Sequence, residues 1–135
     1  MQGIALSGGA GALSIIFALI LVYKVIKGDE GNSAMQEIAK AIQEGSQAFL
    51  KREYTFLALF VAAVTIVLIA IPAIDWQTAA AYVAGAIVSG ATGYLGMSVA
   101  TRANVRTTAA AAKGLNPALR VAFSSGAVMG LMVVG

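Results

Sequence analysis

Long uncharged apolar runs alternate with polar stretches along this 135-residue chain. Residues 3–23, 54–74 and 77–101 contain no Asp, Glu, Lys or Arg. A helix needs roughly 20 apolar residues to cross a hydrocarbon core about 30 Å thick. Each run therefore predicts one membrane-spanning helix. Lys24 and Lys27 follow the first run instead of preceding it, which distinguishes it from a cleaved signal peptide.

A fourth uncharged run follows Arg120 and continues to Gly135. Asn116-Pro117 supplies a helix start, because proline suits the first helical turn. The 15 residues after Arg120 are too few to cross a bilayer, so we expect an incomplete span over residues 118–135. Three complete transmembrane helices and a truncated fourth predict an all-α, polytopic membrane helix bundle, with residues 1–135 forming one membrane domain fragment.

The polar stretch between the first two spans, residues 24–53, has a helical period of its own. Gly28 to Asn32 breaks the first helix, and Ser33 with Gln36 three residues later matches a capping box. Apolar residues then recur opposite charged ones: Met35, Ile38, Ile42 and Phe49 against Glu37, Lys40 and Glu44. This pattern predicts an amphipathic helix at the membrane surface or against neighbouring helices.

Charge strengthens the membrane interpretation. Charged residues make up 11% of the chain and apolar residues 59%, whereas a typical soluble domain is about 25% charged. The basic residues fall in two stretches: Lys24, Lys27, Lys40, Lys51 and Arg52, then Arg102, Arg106, Lys113 and Arg120. A net charge of +3 would suit nucleic acid, but this clustering is a topology signal. We expect cytoplasmic loops at 24–53 and 102–117, an outside N terminus, a lipid partner and no nucleic acid.

Composition also limits the chemistry. The chain has no Cys and no His, so these residues form no disulfide, no zinc site of Cys or His type and no imidazole acid–base pair. The three complete spans and residues 121–135 of the fourth carry no Asp, Glu, Lys or Arg of the kind that marks an ion pathway. Small residues recur four apart on the third and fourth helices: Ala81, Gly85, Ser89 and Gly93, then Gly126 and Gly130. We interpret them as packing faces; a hinge or ion path is the alternative.

Four local motifs have a functional and a structural interpretation. The run from Ser7 to Gly11 resembles a phosphate loop but lacks a preceding strand and a lysine, so helix packing is favoured. Asp29-Glu30 could bind a cation, yet two carboxylates make a poor cage, and a helix-start role is favoured.

Two basic motifs complete the set. Lys51-Arg52-Glu53 is interpreted as an interfacial anchor, with a specific ion pair as the alternative. Arg102 and Arg106 either anchor to anionic head groups or brace a cytoplasmic active site. No catalytic, cofactor-binding or metal-binding residue is assigned in this chain.

Three stretches carry a family resemblance. They are residues 35–54, with Met-Gln-Glu-Ile-Ala-Lys at their start, residues 96–106, and residues 118–123 continuing into Gly-Ala-Val-Met-Gly at 126–130. The Ala-Thr-Arg-Ala-Asn-Val-Arg run at 100–106 is the most specific part. In this order and at these distances they closely resemble the start of the membrane-integral, ion-translocating pyrophosphatases.

The resemblance implies a homodimeric pump of a prokaryotic inner membrane, of which this chain is an N-terminal, outer-ring part. Such a pump hydrolyses inorganic pyrophosphate with Mg²⁺ and moves protons or sodium ions out of the cytoplasm. The family's Asp- and Lys-rich hydrolytic motifs lie on later helices that match nothing here, so this fragment alone is expected to be inactive. The alternative from the residues themselves is a non-enzymatic membrane scaffold or transporter subunit.

Overall fold

The computed structural model describes the backbone of residues 2–135 and the side chains of residues 5–135. Four helices account for most of this part of the chain: α1 (Gln2–Ile26), α2 (Ser33–Ala70), α3 (Trp76–Ala111) and α4 (Leu115–Val134). All four are long and apolar enough to cross a membrane. The predicted all-α membrane bundle is confirmed.

The α2 and α3 helices are longer than the spans predicted from the sequence. α2 is one helix of 38 residues, or about 57 Å at 1.5 Å per residue, so the surface helix and the second span are continuous. α3 has 36 residues and includes most of the stretch predicted as a loop. The reason is the absence of a breaker: Lys51-Arg52-Glu53-Tyr54 contains no glycine or proline, and Ala109 to Ala111 are the best helix formers.

The start of α2 differs by one residue from the predicted capping box. Asn32, not Ser33, is the N-cap, and its side-chain oxygen accepts from the Met35 amide at 3.0 Å. Gln36 donates its side-chain amide to the Gly31 carbonyl at 3.1 Å. Asparagine and serine are comparably good N-caps, so residue preference alone does not determine which of the two caps α2.

The fourth helix corrects the expectation of an incomplete span. α4 has 20 residues, which gives about 30 Å and matches the hydrocarbon core. It starts at Leu115 after Gly114, whose φ of 132° lies in the region that favours glycine. Arg120 therefore lies inside the helix, where its long stem can reach back to the interface.

The helices lie side by side in the order α2, α3, α4, α1. α3 packs on α2 and on α4, α4 also packs on α1, and α1 touches α3 less extensively. Within residues 2–135, α2 approaches neither α1 nor α4. Contacts between Arg106 and Ile26 and between Lys113 and Asp29 bring the two basic stretches to the same end of the bundle. We call this the basic end.

Few side chains are buried, and nearly all of these are small. The buried apolar residues are Ala18, Val25, Ala39, Leu50, Ala79, Val99, Ala103, Val105, Ala109, Ala118 and Val128. Large apolar side chains such as Phe17, Phe56 and Phe60 are each more than half exposed. Lipid tails are as apolar as these side chains, so association of such helices relies on close packing of small residues.

The small-residue stripe packs at only part of its predicted length. Gly96 is buried against the Met129 side chain of α4, and a Cβ built on Gly93 would lie 3.2 Å from the Tyr54 hydroxyl. Nothing lies within 4 Å of a Cβ built on Gly85, Gly126 or Gly130. Within residues 5–135 these three glycines contact no neighbouring helix, so the helices described here use only part of the predicted packing faces.

The glycine-rich run near the N terminus lies inside α1 and forms no loop. A Cβ on Gly11 would lie 3.0 Å from the Gly135 carbonyl, whereas Gly8 and Gly9 face open space. The favoured packing role thus holds at Gly11.

Candidate functional site at the basic end

The side chain of Arg106 joins the third helix to the end of the first. Arg106 is 6% exposed. Its Nε and Nη2 donate to the Ile26 carbonyl at 3.0 and 2.7 Å, and its Nη1 donates to the Arg102 carbonyl at 2.7 Å. Ile26 is the last residue of α1, and the final carbonyls of a helix have no partner within it and carry its negative end. Arg106 therefore caps α1 from another helix.

The same guanidinium holds the connection between α1 and α2. Nη2 of Arg106 lies 2.6 Å from Oε1 of Glu30, with the two side chains 7% and 50% exposed. A hydrogen bond between two ionised groups is shorter and stronger than a neutral one, and partial burial reduces its screening by salt. This contact fixes the middle of the connection against α3.

A second, more exposed ion pair lies beside it. Nζ of Lys113 lies 3.0 Å from Oδ2 of Asp29, and both side chains are more than half exposed. Oδ1 of Asp29 accepts from the Gly31 amide at 2.9 Å. The Gly31 amide first, and the Lys113 ammonium second, hold the pKa of Asp29 below its ordinary value. We call Ile26, Asp29, Glu30, Arg106 and Lys113 together the Arg106 cluster.

Glycines allow the connection to lie close to α3. Gly31 has a φ of 74°, which L-residues with a side chain adopt at a cost. A Cβ there would meet the Met35 side chain and lie 3.2 Å from Cβ of Ala109. A Cβ on Gly28 would lie 3.3 Å from Cδ of Arg106. The backbone of the connection is thus shaped around the Arg106 cluster.

The cluster changes the interpretation of two sequence motifs. Asp29 and Glu30 were predicted to serve a helix start; they pair with basic residues of the second basic stretch instead. The prediction of head-group anchoring is wrong for Arg106, because its side chain is buried. Arg102 is exposed, and only its backbone carbonyl contacts Arg106. Opposite charges in the two predicted loops were the only sequence signal for this pairing.

The remaining charged motif stays at the surface. Lys51, Arg52 and Glu53 are exposed, and both ion pairs formed by the described side chains belong to the Arg106 cluster. A specific ion pair from this motif is therefore not observed within residues 5–135, and the interfacial anchor remains the interpretation.

Sequence reasoning missed a contact made by Tyr54. Its hydroxyl donates to the Gly90 carbonyl of α3. Its ring meets that of Tyr94 edge to face, with centroids 6.3 Å apart and planes at 80°, a preferred aromatic geometry. The glycines at positions 90 and 93 opposite Tyr54 were the available signal, since they leave room for the ring.

No metal centre is apparent from this arrangement. Among residues 5–135 no group of three or more Cys, His, Asp or Glu side chains lies together. The adjacent carboxylates of Asp29 and Glu30 already pair with Lys113 and Arg106.

The four apolar helices define an integral membrane protein. A sequence model of the inorganic H+ pyrophosphatase family matches residues 12–135. The chain belongs to this family, and it corresponds to the N-terminal part of its members.

Three relatives illustrate the similarity. The chain is 44% identical to a potassium-insensitive, pyrophosphate-energized proton pump of Methanosarcina mazei over 93% of its own length. It is 50% identical to a putative potassium-stimulated, pyrophosphate-energized sodium pump of Clostridium tetani over 90%. It is 40% identical to a potassium-stimulated, pyrophosphate-energized sodium pump of Thermotoga maritima over 88%. The matches cover 19%, 18% and 16% of these relatives, so the chain spans less than a fifth of their length.

Proposed function

We propose that this chain is the outer-ring, N-terminal part of a membrane pump that couples hydrolysis of inorganic pyrophosphate to export of protons or sodium ions from the cytoplasm. The observation that carries the proposal is the family match over residues 12–135. Relatives named for pyrophosphate-energized pumping, at 40 to 50% identity, support it.

The part played by these residues is structural support at the basic end. The runs 3–23, 54–74, 77–101 and 121–135 carry no Asp, Glu, Lys or Arg for an ion relay, and such groups usually mark an intramembrane pathway. The Arg106 cluster joins α1, its connection to α2, and α3 into one unit. A rigid outer wall of this kind keeps neighbouring helices in place while they bind substrate and ion.

Pyrophosphate hydrolysis would be carried out by later helices with Mg²⁺. Pyrophosphate carries several negative charges, so its hydrolysis needs metal ions that neutralise them and a positioned water. Asp29 and Glu30 do not fit a magnesium site, because both already pair with basic side chains and Mg²⁺ requires near-ideal octahedral oxygen geometry. No residue of this chain is therefore assigned to the metal.

The orientation follows from charge. The basic end would face the cytoplasm, because Lys and Arg are retained on that side, and the N terminus would lie outside. A prokaryotic inner membrane, the remaining helices of the longer protein and a second copy in a homodimer complete the proposed surroundings. The exported ion is either the proton or the sodium ion, since relatives named for proton and for sodium pumping are similar to this chain at 44 and 50% identity.

The test is phosphate release by membranes that carry the full-length protein. We expect hydrolysis of pyrophosphate that requires Mg²⁺ and stops when it is chelated, with potassium and sodium added separately to define the subtype. Membranes carrying only residues 1–135 are the matched control and should be inactive. Absence of hydrolysis by the full-length protein would favour the non-enzymatic scaffold or transporter subunit.

A further inference from the structure

A groove lies between α1 and α4 at the basic end, outside the Arg106 cluster. It has a volume of about 780 Å³, and its lining includes Lys24, Val25, Leu119, Arg120, Phe123 and Ser124. Val25 in this lining is buried, whereas Leu119 and Phe123 are 40% and 73% exposed. The groove therefore combines an apolar wall with two cationic side chains.

The two cations have no carboxylate partner. Lys24 and Arg120 are exposed and belong to neither ion pair of the described side chains. The acidic residues nearest to Lys24 along the chain, Asp29 and Glu30, are taken by Lys113 and Arg106. Two positive charges thus share one groove without internal compensation.

We propose that this groove binds one anionic phospholipid. The lipid phosphate would lie between Lys24 and Arg120, and the upper part of an acyl chain would follow Leu119 and Phe123. Basic pockets between transmembrane helices bind anionic head groups, and long basic side chains near helix ends reach the interface where those groups lie. The charge of the groove and its apolar wall match the two parts of such a lipid.

The two cationic side chains and the apolar wall together identify the ligand of the groove. Free phosphate would use the cations and leave the apolar wall exposed to water, whereas a neutral phospholipid would leave the two charges without an anionic group. Among these three ligands, an anionic phospholipid is the one that satisfies both. This inference does not depend on pyrophosphatase activity, since the binding is measured without substrate.

The experiment is native mass spectrometry of the full-length protein, delipidated in detergent and titrated with phosphatidylglycerol or phosphatidylcholine. We expect one phosphatidylglycerol to be retained in preference to phosphatidylcholine. The double variant Lys24→Gln with Arg120→Gln should bind it about 25-fold more weakly, because each basic residue near an anionic surface contributes roughly fivefold. Lys40→Gln with Arg52→Gln removes the same charge from exposed positions of α2 outside the groove and should retain it.

Several results would overturn the proposal. Equal retention of both lipids by the unmodified protein would do so without any variant, and so would equal weakening in the two double variants. Loss of the lipid upon addition of millimolar inorganic phosphate would identify an anion site only. Retention of the lipid in Lys24→Arg with Arg120→Lys is expected, because the charges persist, and its loss would count against the site.

Discussion

Arg106 shows how the position of one residue decides its role. Arg102 and Arg106 are four residues apart on α3, and the sequence treated them alike. The structure buries Arg106 with four donor contacts to the end of α1, to the following connection and to its own helix, while Arg102 stays exposed. The four-residue spacing places both arginines on one face of α3. Only Arg106 is buried, because it lies against the end of α1.

Replacement of Arg106 by glutamine should destabilise the protein by about 2–3 kcal/mol, because it leaves the Ile26 carbonyl and Glu30 without their partner. Arg102→Gln removes the same charge one turn away and should change stability by less than about 0.5 kcal/mol. Thermal unfolding of the full-length protein in detergent measures both. Equal shifts for the two variants would mean that Arg106 acts only as a surface charge.

A second prediction concerns the backbone conformation of Gly31. Gly31→Ala should cost about 1–2 kcal/mol, because a left-handed backbone is unfavourable for alanine and its Cβ would press on Met35 and Ala109. The control Gly45→Ala lies inside α2 with open space around it, where alanine is favoured by about 1 kcal/mol. Unfolding curves should therefore move in opposite directions, and a stabilising Gly31→Ala would contradict the described connection.

At the scale of helices, the sequence located all four apolar helices, and the helices continue past the ends of the uncharged runs. The apolar runs at 3–23 and 54–74 lie within or largely within α1 and α2. Charge was used as a boundary marker, yet helices continue through charged residues when nothing breaks the backbone hydrogen bonds. Lys24 inside α1 and the charged residues Lys51, Arg52 and Glu53 inside α2 are the examples.

Gly93 and Gly85 give a matched pair on α3. Gly93→Leu should disturb the α2–α3 contact, because the new side chain would displace the Tyr54 hydroxyl near Gly90; a loss of about 1–3 kcal/mol is typical of such overpacking. Gly85→Leu enters open space and should be tolerated. Detergent thermostability separates them, and a larger loss for Gly85→Leu would show that another helix covers that face.

The connection between α1 and α2 should respond to acid through Asp29. Its pKa is lowered in the folded state, so its contribution is present above the unfolded value of about 3.9 and disappears as the pH falls through the folded value. Asp29→Asn should lower the melting temperature slightly near pH 7 and match the unmodified protein at low pH. A difference that persists below the folded pKa would assign the effect to a contact other than the carboxylate.

On the scale of the molecule, composition predicted the environment and only resemblance predicted the activity. Low charge, uncharged runs and two basic stretches require a membrane bundle, and the helices confirm it. Opposite charges and glycines hinted at the Arg106 cluster and the Tyr54 contact, but the pairing itself could not be predicted, because both contacts depend on the relative placement of helices distant in sequence. Most of the apolar surface of the four helices is exposed, which suits a wall with lipid or further helices against it.

Ion uptake tests most directly whether this chain is part of a pump. Inside-out membrane vesicles that contain the full-length protein should accumulate protons or sodium ions when pyrophosphate and Mg²⁺ are added. Uptake should stop when Mg²⁺ is chelated, and it should collapse with an ionophore for that ion while hydrolysis continues. Pyrophosphate hydrolysis without accumulation of either ion, in vesicles shown to be sealed, would contradict the account.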